Sequence, residues 1–194
     1  MNVAIVTRPT SEPVSVAEAK DHLYIDGSDN DSMIAGIVST ARAKMEGWTR
    51  RQIMTATWDY CLDRFPVQNF IVLPFGNLQT VTSVKYKDVY GVESTMVAVT
   101  GYLVETNGEG HGRIVLPYGC TWPSGDFYPS NPITIRFVCG WTSAALVPFT
   151  IKHGIKLLCS EMYEARGEPV IGSTVVESHA AENLIASERL WGNF

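Results

Sequence analysis

The chain has 194 residues, 45% hydrophobic and 18% charged, enough to bury roughly 70% of its unfolded surface in one generous domain or two small ones, which excludes a disordered tail. Lys and Arg number 15 against 20 Asp and Glu, a net charge of -5. That excludes a basic grip whose affinity rests on neutralising phosphates, so DNA nearby would be passed rather than held.

At the N-terminus, Met1 to Val6 is apolar but lacks a basic leading region and runs straight into Arg8 and Pro9. It does not have the shape of a secretory signal, and the expected home is the cytoplasm of the producing cell. Pro13-Val14-Ser15-Val16-Ala17-Glu18 then forms a capping box: the Ser15 hydroxyl accepts from the Glu18 N–H while the Glu18 carboxylate reaches back to Ser15. A helix of about ten residues, to about Tyr24, is expected, with Val16, Ala19 and Leu23 covered and Glu18, Lys20 and Asp21 exposed. Glu18 and His22 read as ordinary surface neighbours at i and i+4.

Asp26 to Asp31 breaks this helix. Asp26, Ser28 and Asn30 alternate as ligands of a calcium loop do, but position six is Asp31 rather than glycine and position twelve is Ile37 rather than glutamate. The residues instead suit a helix cap from Asp29, Asn30 or Asp31. The next helix, roughly Asp31 to Thr49, carries an apolar stripe of Met33, Ile34, Ile37, Val38, Ala41, Met45 and Trp48. Its expected partner lies almost a hundred residues later. There Pro148 pre-sets a first helical turn, Ile151, Ile155, Leu158 and Met162 step along one face to about Arg166, and Gly167 stops the helix.

Between these helices the period changes. Ile53–Leu62, Phe70–Leu73, Leu78–Tyr86, Thr95–Val99, Tyr102–Glu105, Arg113–Leu116 and Ile133–Val138 read as strands of an antiparallel sheet or small barrel. The fold class is therefore α+β: a small helical bundle interrupted by a β insertion. The expected boundaries are a first helical part at 1–51, the β insertion at 52–146, a second helical part at 147–172 and a docking tail at 173–194.

The search for chemistry yields no catalytic, cofactor or metal residue. There is no G-x-S-x-G, H-E-x-x-H or G-x-x-x-x-G-K-[ST], and His22, His111, His153 and His179 are scattered. Gly108-Glu109-Gly110-His111-Gly112 lies between two strands and reads as a hairpin tip rather than a phosphate loop. His153 with Glu161 and Glu164 lacks di-iron spacing. Cys61, Cys120, Cys139 and Cys159 form no C-x-x-C pair and read as reduced, mostly buried thiols. No apolar run approaches the ~18 residues of a membrane span.

Trp58, Tyr60, Trp122, Phe127, Tyr128 and Trp141 all fall in the β part. Buried, they fill a core; exposed together, they would stack on sugar rings or anchor a partner. A second function class follows from the exposed case: a virion-surface or carbohydrate-binding β module using Trp58, Trp122 and Tyr128. At the C-terminus, Leu184, Ile185, Leu190, Trp191 and Phe194 are apolar on a segment too short for its own core. Such a segment docks, either on its own subunit or on a neighbour.

One ordered succession of residues is more specific than any motif. Val14-Ser15-Val16-Ala17-Glu18-Ala19-Lys20-Asp21-His22-Leu23, the acidic break at Asp26 to Asp31, Ile34 to Glu46 ending near Trp48-Thr49-Arg50, Thr57-Trp58 and Leu62-Asp63-Arg64-Phe65-Pro66 follow one another. Ile71-Val72-Leu73-Pro74, Ser83-Val84-Lys85-Tyr86, Arg113-Ile114, Trp122-Pro123 and Val147-Pro148 through Arg166 continue the order. Together they resemble the head-to-tail connector (adaptor) proteins of tailed bacteriophages, up to about Gly172.

The resemblance implies a non-enzymatic subunit of a twelve-membered homo-oligomeric ring at the head-tail junction of the virion, below the portal protein. It also implies contact with a downstream neck or tail completion protein, and a channel through which genomic DNA leaves without sequence-specific binding. An acidic lining would keep phosphates from sticking. By extension, Leu184, Ile185, Leu190, Trp191 and Phe194 are expected to engage the portal. A closed ring needs heterologous contacts, and Lys20, Arg42 and Lys152 are the residues expected to meet acidic groups of the neighbouring copy.

Overall fold

The computed structural model describes residues 2–164 and 180–191. It is an α+β protein whose chain divides into two compact units, one of helices (Thr10–Met54 and Trp141–Arg189) and one of strands (Met1–Pro9, Thr55–Gly140 and Leu190–Phe194).

In the helical unit, helix α1 spans Val16–Leu23. Its capping box is complete: the Glu18 N–H donates to Ser15 Oγ at 3.1 Å and the Ser15 N–H donates to Glu18 Oε2 at 2.8 Å. This satisfies two of the donors that a helix start leaves unpaired. Tyr24, in the left-handed conformation, ends it. Helix α2 spans Asp31–Thr49 and buries Ile34, Val38, Ala41, Met45 and Thr49. The buried stripe is narrower than the apolar pattern implies, and Met33 lies outside it, exposed. Asn30 is the N-cap residue, but its side chain makes no cap hydrogen bond. Asp31, in the first turn, is held instead by Lys20 at 2.7 Å.

Helix α3 spans Phe149–Glu164 and turns Ile151, Gly154, Ile155, Leu158 and Cys159 inward, where they join the buried side of α2 in one core. Gly154 leaves room for side chains of the core: a Cβ there would lie 2.7 Å from Met45 Cε and 3.2 Å from Ile185 Cγ2. The short helix α4, Ala180–Leu184, adds Ala181 and the following Ile185 to the same core. Arg166 and Gly167, expected to end α3, lie outside the described residues.

The β unit holds two antiparallel sheets rather than one sheet or a barrel. Strands β1 (Asn2–Thr7), β2 (Ala56–Leu62), β3 (Phe70–Gly76), β4 (Leu78–Lys87), β5 (Glu93–Met96), β6 (Leu103–Glu105), β7 (His111–Val115) and β8 (Ile133–Cys139) occur in that chain order. A five-stranded sheet runs β1-β2-β8-β4-β5 and a three-stranded sheet runs β3-β7-β6. Alternate residues of β8, Ile133, Ile135, Phe137 and Cys139, point into a core shared with Tyr60, Leu73, Leu78, Val84 and Ile114. Gly108 to Gly110 form the tip between β6 and β7. The N-terminal apolar run is strand β1, registered on β2 with Val3 opposite Tyr60 and Ile5 opposite Trp58. Of the cysteines, Cys139 and Cys159 are buried, whereas Cys61 is partly exposed and Cys120 exposed, so burial covers fewer thiols than expected. No helix among the described residues is long and apolar enough to cross a membrane.

Candidate functional site

The three cations expected at a subunit interface each meet an acidic group of their own chain. Lys20 Nζ pairs with Asp31 and donates to the Gly27 carbonyl. Arg42, only 11% exposed, is clamped by Glu12 at 2.6 Å and by Glu46 at 2.9 Å. Glu46 in turn accepts from Gln52 Nε2 at 2.6 Å and from the Ile53 N–H at 3.1 Å. Burial pushes the Glu46 carboxyl above its ordinary range, while Arg42 and the Ile53 N–H pull it back. This network ties the segment before α1, the middle of α2 and the chain leaving α2; it is a structural clamp. Lys152 is the least engaged of the three, with Nζ 3.8 Å from Glu18 Oε1.

Lys152 also lines a cleft of about 300 Å³ together with Glu18, Phe149, His153 and Lys156. Helix periodicity builds its α3 wall: residues 149, 152, 153 and 156 recur at three and four positions and so share a face. The α1 wall carries Glu18 and His22 one turn apart. His22 is not an ordinary surface neighbour of Glu18, because its ring packs edge-on against His153 with centroids 6.0 Å apart. Burial first, then the charges of His153 and Lys156, hold the His22 imidazole below its usual range. Glu18 is held below the carboxylate range chiefly by the Ser15 N–H, with help from Lys152 and Lys156. Phe149, His153 and Lys156 were not singled out from the sequence as site residues. Their common spacing on α3 was the available signal, masked by the stronger apolar stripe on the other side of the same helix.

The C-terminal segment turns back on its own helical unit. Thr150 Oγ1 donates to Glu188 Oε1 at 2.7 Å, Arg51 Nε donates to the Glu188 carbonyl at 2.6 Å, and Arg189 Nε donates to the Trp48 carbonyl at 2.8 Å. Ile185 is buried in the chain's own core, Leu190 is buried and Leu184 partly so. Trp191 is 77% exposed. Phe194 lies outside the described residues.

The aromatic residues of the β unit pack mainly on one another. Trp122 stacks on Phe65 with centroids 5.2 Å apart and planes 8° from parallel, and its Nε1–H donates to the Gln68 carbonyl at 2.8 Å. Phe127 and Tyr86 meet Phe65 edge-on. Trp58 packs on Phe75. One face of each indole is thus covered from within, and only Tyr128, 41% exposed, shows a large ring surface among the three residues of a sugar-stacking platform.

Among the described residues, no group of three or more His, Cys, Asp or Glu is placed to hold a metal ion. Neither a protein-family profile nor a curated protein sequence matches the chain. Solved structures do match. A chain in the neck of an empty gene transfer agent (GTA) particle, computed with C6 symmetry, aligns with a TM-score of 0.80 at 22% identity, covering 100% of this chain and 98% of that one. A chain in the virion of the native GTA particle aligns at 0.79 and 22% identity. A chain in the native neck, computed with C12 symmetry, aligns at 0.78 and 23%, both with the same coverage. From end to end, therefore, this chain has the fold of a protein found in the GTA particle and its neck.

Proposed function

We propose that this chain is a structural subunit of the neck of a phage-like particle: a head-to-tail connector that forms a homo-oligomeric ring, links capsid to tail and extends the DNA channel below the portal. The observation that carries this reading is the whole-length likeness to chains of GTA necks, in which neither unit of the fold is left over to be explained by another task. Twelve copies is the ring size proposed, because a twelve-membered ring is compatible with both the six-fold and the twelve-fold symmetry under which those necks were computed. The net charge of -5 suits a conduit past which genomic DNA slides without sequence-specific contact.

In this reading the helical unit acts as a small connector-type bundle that builds the ring, with Lys152 nearest to a neighbour's acidic groups. The β insertion at 52–146 faces the next neck or tail completion protein. The tail at 173–194 engages the portal through Trp191 and the residues beyond it, since Ile185 is already occupied in the chain's own core. The role is structural rather than enzymatic, and the protein acts at the head-tail junction of the virion after synthesis in the host cytoplasm.

Electron microscopy of the particle that contains this chain tests the proposal. Density for a ring of this subunit between the portal and the tail is expected. Its location on the capsid surface or on tail fibres would overturn the reading, as would a single copy per particle.

A further inference from the structure

Among the described residues, the cleft between α1 and α3 gathers more positive than negative charge. Lys152 and Lys156 line it beside the His153 ring, which packs edge-on against His22, and Glu18 is the one carboxylate of the described lining. That carboxylate is largely engaged elsewhere: its Oε2 accepts from the Ser15 N–H at 2.8 Å and from the Ser15 hydroxyl at 3.0 Å, leaving Oε1 at 3.8 Å from Lys152. Lys156 Nζ and the His153 ring have no hydrogen-bond partner among the described residues. The first turn of α3, alongside, contains no acidic residue, so the positive end of that helix dipole adds to the same potential. This pair of lysines stands on a chain that is acidic overall. Beside it, at the start of α3, Phe149 is 87% exposed.

We propose that this cleft is a docking site for an acidic protein segment that carries an apolar side chain beside its carboxylates. Charge complementarity selects the carboxylates, and Phe149 selects a peptide over a small anion, because a phosphate or sulfate has nothing to place against an exposed ring. Spacing agrees. Lys152 and Lys156 are one helical turn apart, about 6 Å between Cβ atoms, and alternate side chains on one face of an extended segment are about 6.6 Å apart. Two carboxylates at positions i and i+2 of such a segment therefore reach both ammonium groups, and an apolar side chain at i-2, on the same face of the segment, meets Phe149. The site does not depend on the neck reading; that reading bears only on which neighbour supplies the segment.

The test uses the full-length protein and a blocked synthetic peptide with phenylalanine, glutamate and glutamate at alternate positions and serine between them, followed by amide and imidazole NMR shifts. The expected result is saturable binding, with shifts concentrated on α1 and the first half of α3 and including His22 and His153. Lys156→Ala is expected to weaken it roughly fivefold, Lys156→Arg to restore it, and rising salt to weaken it in the wild type. Salt dependence needs no variant and serves as the second readout should Lys156→Ala fail to fold. Three outcomes would overturn the proposal: no saturable binding, the same affinity in Lys156→Ala as in the wild type, or inorganic phosphate shifting the same resonances as strongly as the peptide. A failed ring in microscopy with intact peptide binding would sink the neck reading alone; a ring without peptide binding would sink this inference alone.

Discussion

Gly112 on β7 lies directly against Leu78 on β4: a Cβ at position 112 would sit 2.5 Å from the Leu78 Cβ and 2.3 Å from its Cδ2. The obstruction begins at the Leu78 Cβ, which is fixed to the backbone, so a rotamer change cannot relieve it. Gly112→Ala is therefore expected to destabilise the β unit by about 1–3 kcal/mol, read as a lower denaturant midpoint at unchanged slope. Gly36 and Gly47 on α2 make the contrast, since a Cβ at either meets nothing within 4 Å. Gly36→Ala and Gly47→Ala should each raise stability by about 0.5–1 kcal/mol through helix propensity and a less flexible unfolded chain.

The Arg42 clamp predicts an asymmetric response. Arg42→Ala leaves Glu46 and Glu12 facing one another without a cation, in a site that already disfavours the Glu46 charge. The expected cost is about 3 kcal/mol or more. Adding Glu46→Gln to Arg42→Ala should recover part of that loss, because the amide restores a neutral partner for the Ile53 N–H. Chemical denaturation of the two single variants and the double variant measures the coupling directly; equal, additive losses would argue against it.

His22 gives the stability of the helical unit a pH dependence of definite sign. Its folded-state pKa lies below the ordinary value of 6.5, so the unfolded chain binds the proton more readily and stability rises with pH. The contribution is fully present above pH 6.5 and is lost as pH falls through 6.5 toward the folded value. The charged and titratable groups that act on it are His153 and Lys156 on α3. His22→Gln should flatten the stability profile between neutral and mildly acidic pH. An unchanged slope would show that this histidine is not its source.

The cysteines should separate by reactivity. Burial pushes the Cys159 thiol up to about 11 and Cys139 is also buried, whereas Cys120 is exposed, its Sγ 3.6 Å from the Thr100 carbonyl. Since the thiolate is the reactive form, a thiol reagent should modify Cys120 first in the native protein. Cys139 and Cys159 should react only on unfolding, as peptide mapping would show.

What could be read in the residues alone follows from how local each interaction is. The α1 start was legible because Ser15 and Glu18 are three residues apart and their chemistry is reciprocal. The partnership of α2 and α3 was legible at long range because each helix has an apolar face that needs covering. The division into two sheets was not, since nothing in β3, β6 or β7 states which strands they join. Pro74 lies within β3, and the strand tolerates it because β3 has a partner on one side only and its register on β7 breaks between Val72 and Gly76. Strand β1 is not legible in the sequence, because an edge strand shows only a weak alternation of burial. The pairing of His22 with His153 joins distant stretches of chain through two polar side chains, for which no periodicity exists to search.

The junction between the two units bears on how the protein folds. The β insertion begins and ends on neighbouring strands, with Ala56 opposite Cys139, while Met54 and Trp141 form a parallel bridge and the Trp141 N–H donates to the Ile53 carbonyl at 2.8 Å. Without that pairing, bringing α2 to α3 would mean closing a loop of about half the chain, an entropic cost that slows folding. Once β2 and β8 have zipped together, the same two helices are joined by what amounts to a tight connection. Helix docking should therefore follow sheet formation in time, and substitutions that loosen the β2–β8 ladder should slow the appearance of the helical core even though they lie outside it.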